Sequence, residues 1–212
     1  MTMKRTMLIL ALAMSFYLVR SQDTYQNDEI RTVFSKNRSN GGYGALTFAY
    51  SQIDGRDAFL TGARGAFIFD HSFAIGLGGY GFVNNINTRY YYDRNNELSL
   101  AGGYGGLFIE PIVMGKSPVH LSFPVLFGMG SISQVDIYNW DYWGPADPVR
   151  NYDYDVYFVI EPAVELEFNL ARFFRTAAFI SYRYTSNIQL YQIDEDVLNG
   201  LNFGLTFKFG KF

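Results

Sequence analysis

The sequence predicts an all-β chain folded as an eight-stranded antiparallel up-and-down transmembrane β-barrel, and three observations carry that expectation. The first is a period of two through residues 152–184. Tyr152, Tyr154, Val156, Phe158, Ile160, Pro162, Val164, Leu166 and Phe168 alternate with Asp153, Asp155, Tyr157, Val159, Glu161, Ala163, Glu165, Glu167 and Asn169. After a connector at 170–172, Phe174, Thr176, Ala178, Ile180, Tyr182 and Tyr184 stand opposite Arg175, Ala177, Phe179, Ser181 and Arg183. This period belongs to strands with two unlike faces, and the short connector makes them an antiparallel hairpin. Each arm is long enough to cross a bilayer, which needs roughly 9–11 tilted residues. Bulky groups toward lipid and charged or small groups toward a narrow interior make a barrel wall.

Composition is the second observation. Hydrophobic residues reach 49% and aromatics 18%, with 21 Gly. Mean hydropathy is nevertheless only −0.02, and no run reaches the ~18 apolar residues of a membrane helix. A lipid-facing sheet has this composition because its apolar residues must alternate, although a soluble β-sandwich would fit the composition equally well. The third observation is connector length. Links after strands two, four and six are short, and the others are longer, as in barrels with short periplasmic turns and long external loops.

Taken in order, residues 1–21 read as a secretory signal peptide. Lys4 and Arg5 precede an apolar segment, 7–19, which is followed by Arg20, Ser21 and Gln22. A basic start, a short apolar core and a small residue at the cleavage point give that pattern, with cleavage expected after Ser21. Residues 22–40 are a polar lead-in segment, and 41–212 form the barrel domain. Strand one, 42–51, points Leu46, Phe48 and Tyr50 outward, and Asp54-Gly55 marks a turn. Strand two, 58–69, points Phe59, Ala63, Phe67 and Phe69 out and Arg64 in; Asp70-His71-Ser72 connects it to strand three, 73–83. Strand four, 98–113, has Leu107, Ile109, Pro111 and Val113 out, with Tyr104 and Glu110 in. Strand five, 119–131, has Val119 to Met129 out at every second residue, with His120 and Ser122 in. Strands six and seven are the hairpin above. Strand eight, 200–209, sets Leu201, Phe203, Leu205, Phe207 and Phe209 against Asn202, Gly204, Thr206 and Lys208. Eight is an even count, which places both termini in the periplasm; ten strands is the alternative.

The last strand resembles the carboxy-terminal assembly signal of outer-membrane proteins, carried by Asn202, Gly204, Phe207 and Phe209 with the terminal Phe212. The whole chain after residue 21 also resembles a family of small outer-membrane β-barrel proteins of Bacteroidota type. The matching pieces are Asp70-His71-Ser72-Phe73, Gly78-Gly79-Tyr80-Gly81, Phe158-Val159-Ile160-Glu161-Pro162, Ser181-Tyr182-Arg183-Tyr184 and Lys208-Phe209-Gly210-Lys211-Phe212. These resemblances imply an outer-membrane location, contact with outer-membrane lipid and with the barrel-assembly machinery, and no particular activity.

Chemistry has few footholds. There is no cysteine, so disulfides and thiolate metal sites are excluded. Asp and Glu number 20 against 17 Lys and Arg, which argues against a nucleic-acid partner. Gly-Gly-Tyr-Gly recurs at 41–44, 78–81 and 102–105, either as a remnant of duplication or because small residues make room for an inward Tyr. Gly76 to Gly81 match a dinucleotide fingerprint, but inside an alternating strand the helix that motif requires is missing. The inward charges Arg64, Glu110, Glu161, Glu165, Glu167, Arg175, Arg183 and Lys208 set four acids against four bases. Glu165 and Glu167 are expected opposite or diagonal to Arg175. A salt-bridged core closing the lumen is the bland reading of these charges, and a charged constriction for small ions or solutes the sharper one.

His120 and Ser122 resemble the His-x-Ser of outer-membrane lipid A deacylases, but Phe123 replaces that family's Asn and both point inward near the periplasmic end. Tyr91, Tyr138, Trp140, Tyr142 and Trp143, beside several Asp residues in the external loops, are candidates for gripping a glycan or protein ligand. No cofactor or metal site is expected, since the loop acids lack EF-hand spacing. The favoured function is a non-enzymatic outer-membrane protein, expected to be a monomer, with a structural or surface-interaction role. A narrow pore is second and a lipid-modifying hydrolase third.

Overall fold

The computed structural model describes residues 40–84, 99–135 and 153–212. Nine strand segments follow one another: β1 (Asn40–Ile53), β2 (Arg56–Phe69), β3 (Phe73–Asn84), β4 (Ser99–Val113), β5 (Val119–Ser122), β6 (Val125–Val135), β7 (Tyr154–Ala171), β8 (Phe174–Thr185) and β9 (Gly200–Lys211). Each pairs antiparallel with its neighbours, and β1 pairs with β9, so the sheet closes on itself.

The ring has eight strands because β5 and β6 are halves of one. Both pair with β4 in a single register, Ile112 opposite Ser122 and Ile109 opposite Val125. Between them Phe123 N donates to Pro111 O at 2.9 Å and Ala163 N to Pro124 O at 2.7 Å. Pro124 has no N–H to give, so the ladder lapses there while the alignment holds. Carried once round the ring, the register returns to β1 about ten residues along, the stagger that closing a ring of tilted strands requires.

Alternation along the strands sets what faces where. Leu46, Phe67, Leu77, Met129, Val156, Phe158, Ile180 and Leu205 are exposed on the outside, at 49–72%, while their sequence neighbours are buried or half-buried. Three short connectors, at 70–72, 114–118 and 172–173, lie at the same end as both chain termini of the barrel, here called the turn end. At the opposite loop end lie 186–199 and the strand ends Asn84, Ser99 and Val135; 85–98 and 136–152 are outside the described residues. Phenylalanines gather on the outside near the turn end, where Phe174 stacks on Phe209 at 4.8 Å and Phe69 meets Phe73 at 6.5 Å. Tyr154 and Tyr184 stand outward near the loop end.

Several boundaries differ from the expectation, three of them for a local reason. The β1–β2 link is only Asp54 and Gly55, with φ of 58° and 66°. A positive φ at both central residues fits a tight I′ hairpin, so this link is as short as those at the turn end. Strand β6 runs to Val135 because Ile132 is buried and still continues the wall. Strand β7 reaches Ala171 through an irregularity between Asn169 and Ala171, leaving Arg172 and Phe173 as the turn.

The glycine-tyrosine repeats have a packing reason. On adjacent strands Gly78 faces Gly106, Tyr80 faces Tyr104 and Gly81 faces Gly103, and the two tyrosine rings lie 5.3 Å apart inside. A Cβ on Gly62 would stand 2.4 Å from the Tyr80 ring, and one on Gly130 would stand 2.7 Å from Tyr157 Cζ. Glycine therefore makes room for inward rings in a lumen of this width. Gly130→Val should destabilise the barrel by about 1–3 kcal/mol through overpacking, read as a lower urea midpoint. A tolerated valine would show that the rings are not tightly held.

Two apolar layers cap the interior. Toward the loop end Ile53, Leu60, Leu100, Leu126, Ile132, Tyr157 and Phe179 belong to one cluster. At the turn end Tyr43, Ile68 and Ile112 pack with Phe212, which turns into the mouth and stacks on Tyr43 at 6.0 Å.

Candidate functional site in the barrel lumen

Between the two layers lies a compact charged cluster supplied by β2, β4, β5, β7, β8 and β9. Alternation sends Arg64, Glu110, His120, Ser122, Glu165, Glu167, Arg175 and Lys208 inward, and none is more than 6% exposed. Lys208 Nζ is the hub, 2.5 Å from Glu110 Oε1, 2.6 Å from Glu167 Oε1 and 2.9 Å from Glu165 Oε2. Arg64 donates to both oxygens of Glu165, at 2.8 and 2.7 Å, and lies 4.5 Å over the Phe108 ring. Tyr43 Oη donates to Glu110, and Ser122 Oγ to Glu167 at 2.6 Å. Arg175 is 3.7 Å from Glu167 and 3.4 Å from His120 Nε2. Three carboxylates thus meet three permanent cations, which is how charge persists away from water.

Glu110, Glu165 and Glu167 hold carboxylate oxygens within 4.8 Å of one another, a spacing that could grip a metal ion. The Lys208 ammonium occupies that seat. It is a tethered cation that hydrogen-bonds to Glu110 and Glu167 and ion-pairs with Glu165.

The remaining pair does not pair. Glu161 accepts hydrogen bonds from Tyr104 at 2.5 Å, Ser181 at 2.5 Å and Asn202 at 2.9 Å, all neutral donors. Arg183, fully buried, donates from Nε to Leu198 O at 2.7 Å and lies 5.5 Å and 5.6 Å from the Phe82 and Tyr104 ring centroids. Its two terminal nitrogens have no hydrogen-bond partner among the described residues. The four-against-four pairing therefore resolves into three against three, plus an acid and a base held separately. Glu165 also does not meet Arg175. The register puts Phe179 opposite Glu165 and Asn169 opposite Arg175, which leaves Arg175 diagonal to Glu167 and sends Glu165 across the lumen to Arg64. Tyr43, Tyr104, Ser181 and Asn202 act as partners that charge-counting passed over. Their inward parity was the available signal.

The loop at 186–199 folds over the loop-end mouth. Ile188, Leu190, Val197 and Leu198 are buried in the same cluster as Leu60, Leu100 and Phe179. Gln189 N donates to Asp155 Oδ2 at 2.7 Å and Tyr191 N to Asp153 Oδ2 at 2.9 Å, so the end of β7 clamps the loop. Thr185 N donates to Asn199 Oδ1 at 2.7 Å at its base. In the sequence this stretch was only one of the longer links. Five aliphatic residues among its polar ones, Ile193 included, were the sign of a lid.

The other expected sites place as follows. His120 Nε2 lies 3.1 Å from Glu167 Oε2, and Ser122 also donates to Glu167, so the hydroxyl turns to the carboxylate and not to the imidazole. Both side chains are buried in the charged cluster, out of reach of a substrate. Asn202 points inward, and Gly204 lets β9 approach β1, since a Cβ there would lie 2.1 Å from Phe48 O. Phe207 and Phe209 face outward beside Phe174. Tyr91, Tyr138, Trp140, Tyr142 and Trp143 lie outside the described residues, as do the signal peptide and all of the lead-in except Asn40, which opens β1.

The turn-end mouth holds a cavity of about 640 Å³ whose lining includes His71, Lys116, Asn169, Arg172, Arg175, Lys211 and Phe212. Partial burial, followed by the charge of Lys116, lowers the His71 pKa below the ordinary imidazole value.

No protein-family model matches the chain, and no curated protein matches it. Solved structures do. Neisserial surface protein A (NspA) is similar at a TM-score of 0.54 and 9% identity, over 82% of this chain and 97% of that one. Ail of Yersinia pestis, in complex with the heparin analogue sucrose octasulfate, gives 0.49 and 12% identity, covering 81% and 99%. The N-terminal β-barrel domain of Pseudomonas aeruginosa OprF gives 0.47 and 11%, covering 82% and 98%. At these identities the likeness is one of fold, and it makes this chain a small closed antiparallel β-barrel like that of the Neisserial surface protein.

Proposed function

We propose that this chain is an integral outer-membrane β-barrel, non-enzymatic, with its termini in the periplasm and a structural or surface-interaction role at its external face. The closed lumen carries this reading. Phe212 and Tyr43 sit at one mouth, the charged cluster at mid-depth, and an apolar layer under the 186–199 lid at the other. An interior filled in this way favours work done on the outside of the loop end. The belt of exposed apolar side chains, with aromatic groups toward both ends, matches a wall in lipid. Tyr91, Tyr138, Trp140, Tyr142 and Trp143 are the proposed contacts to a glycan or protein ligand, and Trp140→Ala should abolish capture while the barrel stays folded.

Single-channel recording on refolded protein in a planar bilayer tests the reading. Silence from demonstrably folded protein is the expected result. Steady openings whose size changes in Arg175→Gln or Glu165→Gln would overturn it and make the narrow pore the better account.

A further inference from the structure

We infer that the turn-end mouth is a binding site for a phosphate-class anion. Four basic side chains from different elements line one cavity: Lys116 from the β4–β5 turn, Arg172 from the β7–β8 turn, Arg175 from β8 and Lys211 from β9. His71 of the β2–β3 turn joins them, and among the described residues no Asp or Glu lines the cavity. Asp70, beside His71, is not part of the wall. The contrast with the cluster deeper in the lumen is direct. There carboxylates balance the cations, whereas Lys116, Arg172 and Lys211 form no ion pair among the described residues.

The site also has a fixed floor. Arg175 is 5% exposed, its guanidinium lies 3.9 Å from the centroid of the Phe212 ring, its Nη atoms reach Glu167 and Gly115 O, and its Nε has no hydrogen-bond partner among the described residues. A planar guanidinium held by an aromatic ring is pre-organised for phosphate oxygens, and the flexible Lys116 and Lys211 can close on the remaining charge. Like charges gathered in a concave wall repel one another, and a multiply charged anion relieves that repulsion. Two sources share this chemistry. Met114, Leu170 and Phe173, exposed at 59%, 62% and 66%, flank Lys116 and Arg172 in sequence. A lipid phosphate could therefore reach the site with its chains against that rim, and a free phosphate compound could enter from solution.

The test uses the refolded protein in a neutral, phosphate-free detergent, titrated calorimetrically with pyrophosphate at low and moderate salt. Saturable binding is expected, weakened at least ten-fold in Lys116→Gln/Arg172→Gln and unchanged in Arg56→Gln at the opposite end. Both replaced residues of the double variant are exposed, and heat-dependent gel mobility confirms its fold. Retention of phosphatidic acid from nanodiscs, read by native mass spectrometry, distinguishes the sources. Pyrophosphate binding in detergent identifies a soluble anion. Retention of the lipid alone, lost in the double variant, identifies a headgroup. If neither binds, or if Arg56→Gln weakens binding as much as the double variant, the site is overturned.

Discussion

Lys208→Met should destabilise the barrel by about 3–5 kcal/mol, the cost of removing one partner from a buried ion cluster. The ammonium contacts three carboxylates within 2.9 Å, and neither it nor they are more than 2% exposed. Its removal leaves Glu110, Glu165 and Glu167 crowded, with only Arg64 and the more distant Arg175 to balance them. The measurement is urea unfolding of protein refolded into lipid vesicles. A companion variant sharpens the prediction. Lys208→Met with Glu110→Gln restores the charge balance and should recover much of the loss, because the damage comes from uncompensated charge more than from lost packing. A double variant as unstable as the sum of its singles would mean that the hub acts mainly by filling space.

The second large effect lies on the other face of the wall. Ile180→Arg should cost roughly 2–4 kcal/mol if its side chain meets the middle of a bilayer. Ile180 is 50% exposed on the outside of β8, while its neighbour Phe179 is 7% exposed and packed in the loop-end apolar layer. Phe179→Ala should cost about 3–5 kcal/mol by a different route, the cavity it leaves in a filled core. Vesicle thickness and composition should change the first penalty and leave the second alone. Equal insensitivity at both positions would remove the bilayer from the explanation.

Much of this barrel was legible because the strand period is local. Whether Glu165 or Leu166 faces inward depends on two adjacent residues, and a single strand of sequence contains that information. The inward placement of all eight charges and the outward placement of Phe207 and Phe209 follow from parity, and so does the room left for Tyr80 by Gly62. The break at Pro124 was missed, since strand five was expected unbroken over 119–131, although a proline cannot donate to a ladder wherever it sits. The two-residue turn at Asp54-Gly55 was marked by its own residues, although its brevity was underestimated.

The partners inside were not legible, because parity says which way a side chain points and nothing about what it meets. Arg64 and Glu165 are 101 residues apart, and Lys208 and Glu110 are 98 apart. Their meeting depends on strand register, stagger and the narrow bore, which only closure of the whole ring sets. A cross-strand argument confined to one hairpin assigned Glu165 to Arg175, whereas the shortest route for Glu165 ran across the lumen. The lid at 186–199 escaped for a related reason. Its five aliphatic residues have no period, and burial was decided by the apolar mouth beneath them. Sequence alone thus determined the wall and its two faces. Tertiary structure decided which charges neutralise one another, which cations at the turn-end mouth are left over, and how side chains fill the lumen, since each depends on distances between strands that no single strand encodes.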